Sequence, residues 1–292
     1  MQKIIPHLWF DHQAKEAAEF YVSIFGDQSK VTNIMKLQGT PSGDSEIVSF
    51  VLAGQEFMSI NAGPIFQFNP SISFIVNCKT KEEVDTLWNQ LFEDGELLIP
   101  LDSYPFSDRY GWLTDKYGLN WQIMLTDQDF TQKIVPSLLF TNDLYGKAQE
   151  AIQFYLSIFH DSKLDTITYY EEGEDGNQAG TVQYAEFTLE NQKISAMENA
   201  RASDVSFNEA VSLMVYCQDQ HEIDYYWDKL SAVPEAEQCG WLKDRYGVSW
   251  QIVPRSMNNM LSTKDKQKSA RITQAFLKMK KLDIAELEKN DH

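Results

Sequence analysis

GWLTDKYGLNWQIM, residues 111–124, returns 129 residues later as GWLKDRYGVSWQIV, residues 240–253. Trp, Tyr and Gly keep their places in both copies, so the chain is a tandem repeat and each unit can be read against the other. Outward from this pair the alignment continues. AAEFYVSIF (Ala17–Phe25) matches AIQFYLSIF (Ala151–Phe159), ISFIVNC (Ile72–Cys78) matches VSLMVYC (Val211–Cys217), and IIPHLWF (Ile4–Phe10) matches IVPSLLF (Ile134–Phe140).

Each unit repeats one order twice. IIPHLWF is short and apolar, the pattern of a strand. Asp11 offers an N-cap, Ala17, Phe20, Tyr21, Ile24 and Phe25 form a helical stripe, and Gly26 is a stop. KVTNIMKL, IVSFVLAG and EFMSIN then read as three strands, the first two joined by the turn-rich QGTPSGDS. The order returns with SISFIVNC, a capping box of Thr80 and Glu83, a stripe of Val84, Leu87, Trp88 and Leu91 ended by Gly95, and three further short segments. A unit is therefore two βαβββ modules. In the second unit Asp219 and Glu222 cap the matching helix, and the hairpin EEGEDGNQAG is longer and more acidic. From Trp227 to Trp241 is 14 residues, against 24 from Trp88 to Trp112, which removes a loop holding Ser103, Tyr104, Pro105 and Phe106. The boundaries are 1–127, 132–254 and a tail, 255–292, with the linker around TDQDFTQ.

The 292 residues carry a net charge of −18, which argues against nucleic acid, whose phosphates call for a basic footprint. The tail alone is +4 and the body −22. Ile272, Ala275, Phe276 and Met279 predict a C-terminal helix docked on that acidic body. Three scattered cysteines fit neither a disulfide framework nor a CxxC zinc site. Signal-peptide and membrane-spanning patterns are missing, and the chain is read as cytoplasmic.

AxxFYxxIF, FMSINAGP, NPSISFIVNC, EVDTLW and QCGWLKDRYGVSWQIVP resemble the PhnB-like proteins of the vicinal oxygen chelate group, with glyoxalase I, extradiol dioxygenases and bleomycin-resistance proteins. The tail AFLKMKKLDIAELE also resembles the PhnB-like C-terminus. The resemblance spans almost the whole chain. It implies an α+β fold in which four βαβββ modules form two curved eight-stranded sheets around cups, with helices outside, and the two units mimic a homodimer. The chain is then a monomeric pseudo-dimer or a homodimer. This family often carries the label 3-demethylubiquinone-9 3-methyltransferase. A Gly-rich nucleotide loop after a strand would support it, but Gly173, Gly176 and Gly180 lie in an acidic hairpin that repels phosphate.

Metal-dependent relatives in this group place a His on the first strand of a module and a Glu on the last. Those positions fall on His7 and Gln122 in unit one and on Ser137 and Gln251 in unit two; the dioxygenase-type His aligns with Ser71 and Ala210. A neutral amide supplies no charge and one imidazole is a weak anchor, so a native divalent metal is disfavoured. Strand alternation puts Asn120, Gln122 and Met124 on one face. Trp9 shares the His7 face, Glu56 and Met58 flank the fourth strand, and Tyr104 sits in the extra loop, all candidates to line a cup. Trp112, Trp121, Trp241 and Trp250 read as packing residues, Asp115 and Asp244 as turn formers, and Cys78 and Cys217 as structural.

The resemblance leaves three functions open. One is a binding module for a small organic molecule of cationic type; another is a metal-dependent lyase, isomerase or dioxygenase using His7 and Gln122; the third is an interaction protein whose cups are filled. Unit one, with His7 and Tyr104, is the expected live site.

Overall fold

The computed structural model describes residues 2–40, 43–201, 205–262 and 265–290. Module one is β1 (Ile4–Phe10), α1 (Ala14–Phe25), β2 (Lys30–Thr40), β3 (Gly43–Leu52) and β4 (Gln55–Asn61). Module two is β5 (Ile72–Cys78), α2 (Lys81–Phe92), β6 (Glu96–Tyr104), β7 (Ser107–Thr114) and β8 (Asn120–Leu125). Module three is β9 (Ile134–Phe140), α3 (Ala148–Ile158), β10 (Ser162–Tyr169), β11 (Val182–Leu189) and β12 (Gln192–Glu198). Module four is β13 (Val211–Cys217), α4 (Gln220–Leu230), β14 (Trp241–Lys243) and β15 (Ser249–Pro254). The tail forms α5 (Met257–Leu261), α6 (Lys266–Phe276) and α7 (Ile284–Lys289). Pro41 and Ser42, in the β2–β3 turn, lie outside the described residues.

The modules pair across the repeat. One sheet, called A, runs β14-β15-β13-β1-β4-β3-β2, joining module one to module four. The other, B, runs β10-β11-β12-β9-β5-β8-β7-β6, joining module two to module three. The seams are antiparallel: Ile5 faces Met214 and His7 faces Ser212 in A, and Ser73 faces Ser137 in B. A cup is therefore shared between units rather than owned by one, and His7 and Tyr104, expected together in unit one, stand on different sheets.

What a unit does own is a core. Alternation sends Leu8, Phe10, Phe74, Trp121 and Ile123 to the helix side, where they join α1 and α2 in one buried cluster; Leu138, Phe140, Trp250 and Ile252 do the same with α3 and α4. Each such side chain contributes about 1.5–3 kcal/mol by leaving water. Tyr21 on α1 and Trp121 on β8 pack at 5.4 Å, as do Tyr155 and Trp250 at 5.5 Å, tying the two modules of each unit back to back.

Capping follows the sequence at α2 and α4, where Thr80 accepts from the Glu83 N–H and Asp219 from the Glu222 N–H. It does not at α1. The helix begins at Ala14 after Gln13, and the Ala14 N–H donates across to Asn61 Oδ1 of β4 at 2.7 Å, so Asp11 is not the cap. Glu198 of β12 takes the same role for Ala148 at 2.8 Å. A neighbouring strand supplies the acceptor, which local spacing cannot show.

The shorter stretch in module four removes the counterpart of β6. Residues 103–106 form the tip of the β6–β7 hairpin rather than a loop. Beside Gly111 of β7 runs Leu101 of β6, and a Cβ there would meet Trp88 at 2.4 Å. At the matching Gly240, the tail fills the gap: the Gly240 N–H donates to Lys280 O, Cys239 N–H donates to Met279 O, and Leu282 Cδ1 lies 3.2 Å from the place of a Cβ. Among the described residues sheet A thus has seven strands, and it borrows residues 279–282 where B has an eighth.

Candidate functional site

Six residues line the inner face of each sheet, the face turned from α1–α4, in register except at β5–β8 and β13–β15, where Gln122 stands opposite Ile75 and Gln251 opposite Met214, two residues along the strand from Ser73 and Ser212. In B the row is Glu186, Ser195, Ser137, Ser73, Gln122 and Trp112. In A it is Ser49, Met58, His7, Ser212, Gln251 and Trp241. Every member has its counterpart at the same strand position, so the two cups are one design with different side chains.

In B, Tyr110 O–H donates to Gln122 Oε1 at 2.7 Å, and Gln122 Nε2 donates to Ser73 Oγ at 2.8 Å. Burial pushes the Tyr110 phenol well above its ordinary value, so it stays a donor and fixes the direction of the chain. Ser73 then has its own hydroxyl hydrogen left to give. Ser137 Oγ and Trp112 Nε1, in residues 1 % and 7 % exposed, have no partner among the described residues. Tyr104 and Phe106 stack at 5.8 Å and present edges to Tyr110 at 5.6 and 4.9 Å, an aromatic rim. Glu186 is ion-paired to Lys193. Asn120 shares this face, but its amide turns back on Thr114 and Gly118 O.

In A, Gln251 Nε2 donates to Ser212 Oγ at 2.9 Å, but Cys239 stands where Tyr110 stands in B, so the chain has no phenol. His7 is 2 % exposed, with the Trp241 ring edge-on at 5.4 Å, and Nδ1 has no partner among the described residues. Burial drives its imidazole down to about 3, so it is neutral at pH 7. Trp9 donates Nε1 to Gly63 O at 2.8 Å and packs edge-on against Phe66 and Trp241. At the start of the strand Glu56 Oε1 accepts from the Gln2 N–H and the Glu56 N–H donates to Gln2 Oε1. The tail covers this face: Ile272, Phe276, Leu282 and Leu287 bury themselves against Ile5, Met58, Met214 and Tyr216. The expected docking is present, and its contact is apolar, with Lys280–Glu237 at 3.2 Å and Lys281–Asp224 at 2.8 Å at the margin.

Trp121 and Trp250 pack in the core, as expected, whereas Trp112 and Trp241 face the cups. Asp115 and Asp244 do more than shape turns. Asp244 accepts from Tyr155 O–H at 2.8 Å, Trp250 Nε1 at 2.9 Å and the Tyr246 and Val248 N–H groups. Asp115 repeats this with Tyr21, Trp121, Tyr117 and Leu119. Burial raises both carboxyls, Asp244 to about 6, against hydrogen bonds that favour the anion. Both lie on the helix side, away from the cups.

The donor sets can be tested for a divalent metal. Cup A offers His7, Met58, Ser212 and Gln251, one imidazole without a carboxylate; cup B offers Ser137, Ser195, Ser73 and Gln122 without an imidazole, and the one carboxylate of its row, Glu186, is ion-paired to Lys193. Hard or borderline cations require several converging anionic or imidazole ligands, and these residues do not fit one. A site joining His7 to Gln122 is overturned outright, because they sit on different sheets. Among the described residues no three of His, Cys, Asp and Glu gather.

Sequence reasoning missed Tyr110, Ser73, Ser195 and the Trp112 N–H. Ser73 and Ser212 hold matched positions in matched strands, a usable signal once the seam is known. Tyr110 stands one residue ahead of the repeated GW segment, where unit two has Cys239.

The sequence model of the family described as 3-demethylubiquinone-9 3-methyltransferase matches residues 2–124 and 132–253. The PhnB protein of Bacillus cereus is 42 % identical, over 43 % of this chain and 100 % of its own, with a TM-score of 0.40. Glyoxalase I of Zea mays is 10 % identical over 90 % of this chain and 96 % of its own, with a TM-score of 0.57, which shows the fold. Protein PA1353 of Pseudomonas aeruginosa is 22 % identical, over 43 % of this chain and 98 % of its own, at a TM-score of 0.38. Among curated proteins there was no match. None of the described helices is long and apolar enough to cross a membrane.

Proposed function

The chain belongs to the 3-demethylubiquinone-9 3-methyltransferase family, and from that premise we propose that cup B binds a small organic molecule without a divalent metal, by shape and hydrogen bonding alone. One observation carries this. Among the described residues, Ser137 Oγ and Trp112 Nε1 are buried without partners, on a face whose residues do not join the tail's buried cluster. A buried donor without a partner costs about 1–3 kcal/mol, which a ligand acceptor recovers. With the Ser73 hydroxyl, the floor is rich in donors, so the ligand presents acceptors to it. The aromatic rim of Tyr104, Phe106 and Tyr110 suits a planar body. A body charge of −22 favours a neutral or cationic molecule over an anion. Methyl transfer as the family name has it would call for a nucleotide-type cofactor site; the glycines of the β10–β11 turn adopt positive φ at a surface hairpin, which is turn chemistry. The reading of filled cups keeps one specific support, the tail over cup A.

Met124 and Met197 face cup B, and Met58 and Met214 face cup A, so ¹³C-methyl methionine spectra report each cup separately. A screen of planar, acceptor-bearing compounds is expected to shift the first pair, and Trp112→Phe or Ser137→Ala to weaken that binding about tenfold, roughly 1.4 kcal/mol. A screen in which no compound moves Met124 or Met197 would sink the proposal.

A further inference from the structure

We infer that cup A is a second ligand site, closed in this conformation by the chain's own C-terminal segment, and that its ligand is an elongated apolar molecule with one polar head for His7. Three observations converge.

First, the row in sheet A matches the row in cup B position for position, and the tail's apolar contact enters it at Met58 and borders it at Ile5 and Met214, so the floor of a binding cup has been kept beside the cover. Second, the tail fits the apolar part of the cup and leaves the polar part unmet. Ile272 and Leu287 are fully buried, yet His7 Nδ1 and Ser249 Oγ on the floor, and Thr273 Oγ1 on the tail itself, have no partner among the described residues. Ser249 lies two residues from Gln251 and so on the same face. A segment serving only to fill the core would be matched to those atoms or would meet apolar ones. A ligand with a polar head satisfies what the tail does not. Third, the contact is built for exchange. Met35, Met58 and Met214 of the sheet meet Met257 and Met260 of the tail, and methionine's flexible thioether repacks readily against different partners. The tail is held at its margins by replaceable contacts: Asn258 Nδ2 to Tyr216 O–H at 2.7 Å, Gln220 with the Leu282 carbonyl and the Ile284 N–H, and the two lysine pairs. Displacement frees residues 279–282 from the edge of β14, opening the cup at the side where sheet A is one strand short.

The test uses the full chain with decanoic acid and decanol as probes and the same methionine methyls as reporters. Leu282→Asp with Leu287→Asp loosens the tail without changing a residue of the sheet. The expected result is at least a tenfold gain in probe affinity read at Met58 and Met214, with Met124 and Met197 unaffected by the substitutions. Because that variant is open to loss of folding, a second one works in the opposite sense. Met279→Cys, whose carbonyl already meets the Cys239 N–H, is oxidised to pin the tail and then reduced. Probe shifts at Met58 and Met214 are expected to vanish on oxidation and return on reduction. Equal affinity at these methyls in the loosened, pinned and native chains would overturn the inference. Signals at Met124 and Met197 bear only on cup B, so the two proposals fail separately.

Discussion

Cup A and cup B start from the same row of strand positions and end in opposite states. B has Tyr110, Ser137 and Ser195 beside an aromatic rim; A has His7 in the place of Ser137, and Cys239 and Met58 packed against a tail. The difference traces to a few residues of length. Module two keeps β6, whose hairpin carries the rim, and module four loses it, which opens an edge that residues 279–282 occupy. A deletion in one copy of a repeat thus reaches beyond its own loop and decides what the opposite face of the sheet meets.

The largest expected effect lies where the two copies agree. Asp115→Ala and Asp244→Ala each strand four buried donors, and each is expected to cost about 4 kcal/mol in denaturant unfolding. Near-equal losses would confirm that the difference between the cups lies on the inner faces; a much smaller loss at Asp244 would show the tail bracing its unit. Next comes acidity, which should separate the cups. The His7 imidazole falls from 6.5 to about 3 on folding, so the unfolded chain holds the extra proton between those values. Stability from this group is full above pH 6.5 and is lost as pH falls toward 3, at about 1.4 kcal/mol per unit. Carboxylates titrate there too, so the measurement is the difference between wild type and His7→Phe, which is expected to flatten the slope; identical slopes would mean that His7 is not buried as described. The smallest effect sharpens the comparison of unpaired hydroxyls. Ser137→Ala and Ser249→Ala remove groups with no partner among the described residues and are expected to leave the unfolding free energy unchanged or to raise it by up to about 3 kcal/mol. A loss of 2 kcal/mol or more at either would reveal a partner.

The GW segment made the repeat legible, and the apolar stripes and Thr80 and Asp219 caps placed the helices. The seam was not legible. β1, β5, β9 and β13 are buried on both faces and read as near-continuous apolar runs, so none names its partner strand. Chain position therefore sets His7 and Gln122 in one site, whereas strand pairing puts them on separate sheets. The acceptor for the Ala14 N–H hid for the same reason, since Asn61 reaches α1 through space. The tail's Ile272 and Phe276 announced a buried face, but only the missing β6 says where that face goes.

The pairing of modules also sets an order of assembly. Strands β5 to β12 form one uninterrupted stretch, Ile72–Glu198, whereas sheet A needs both Ile4–Asn61 and Val211–Pro254. During synthesis the inner sheet can close while the outer one waits for its far end to leave the ribosome. The first four strands spend that interval with the β1 edge open, which leaves them dependent on protection from aggregation until β13 has been made.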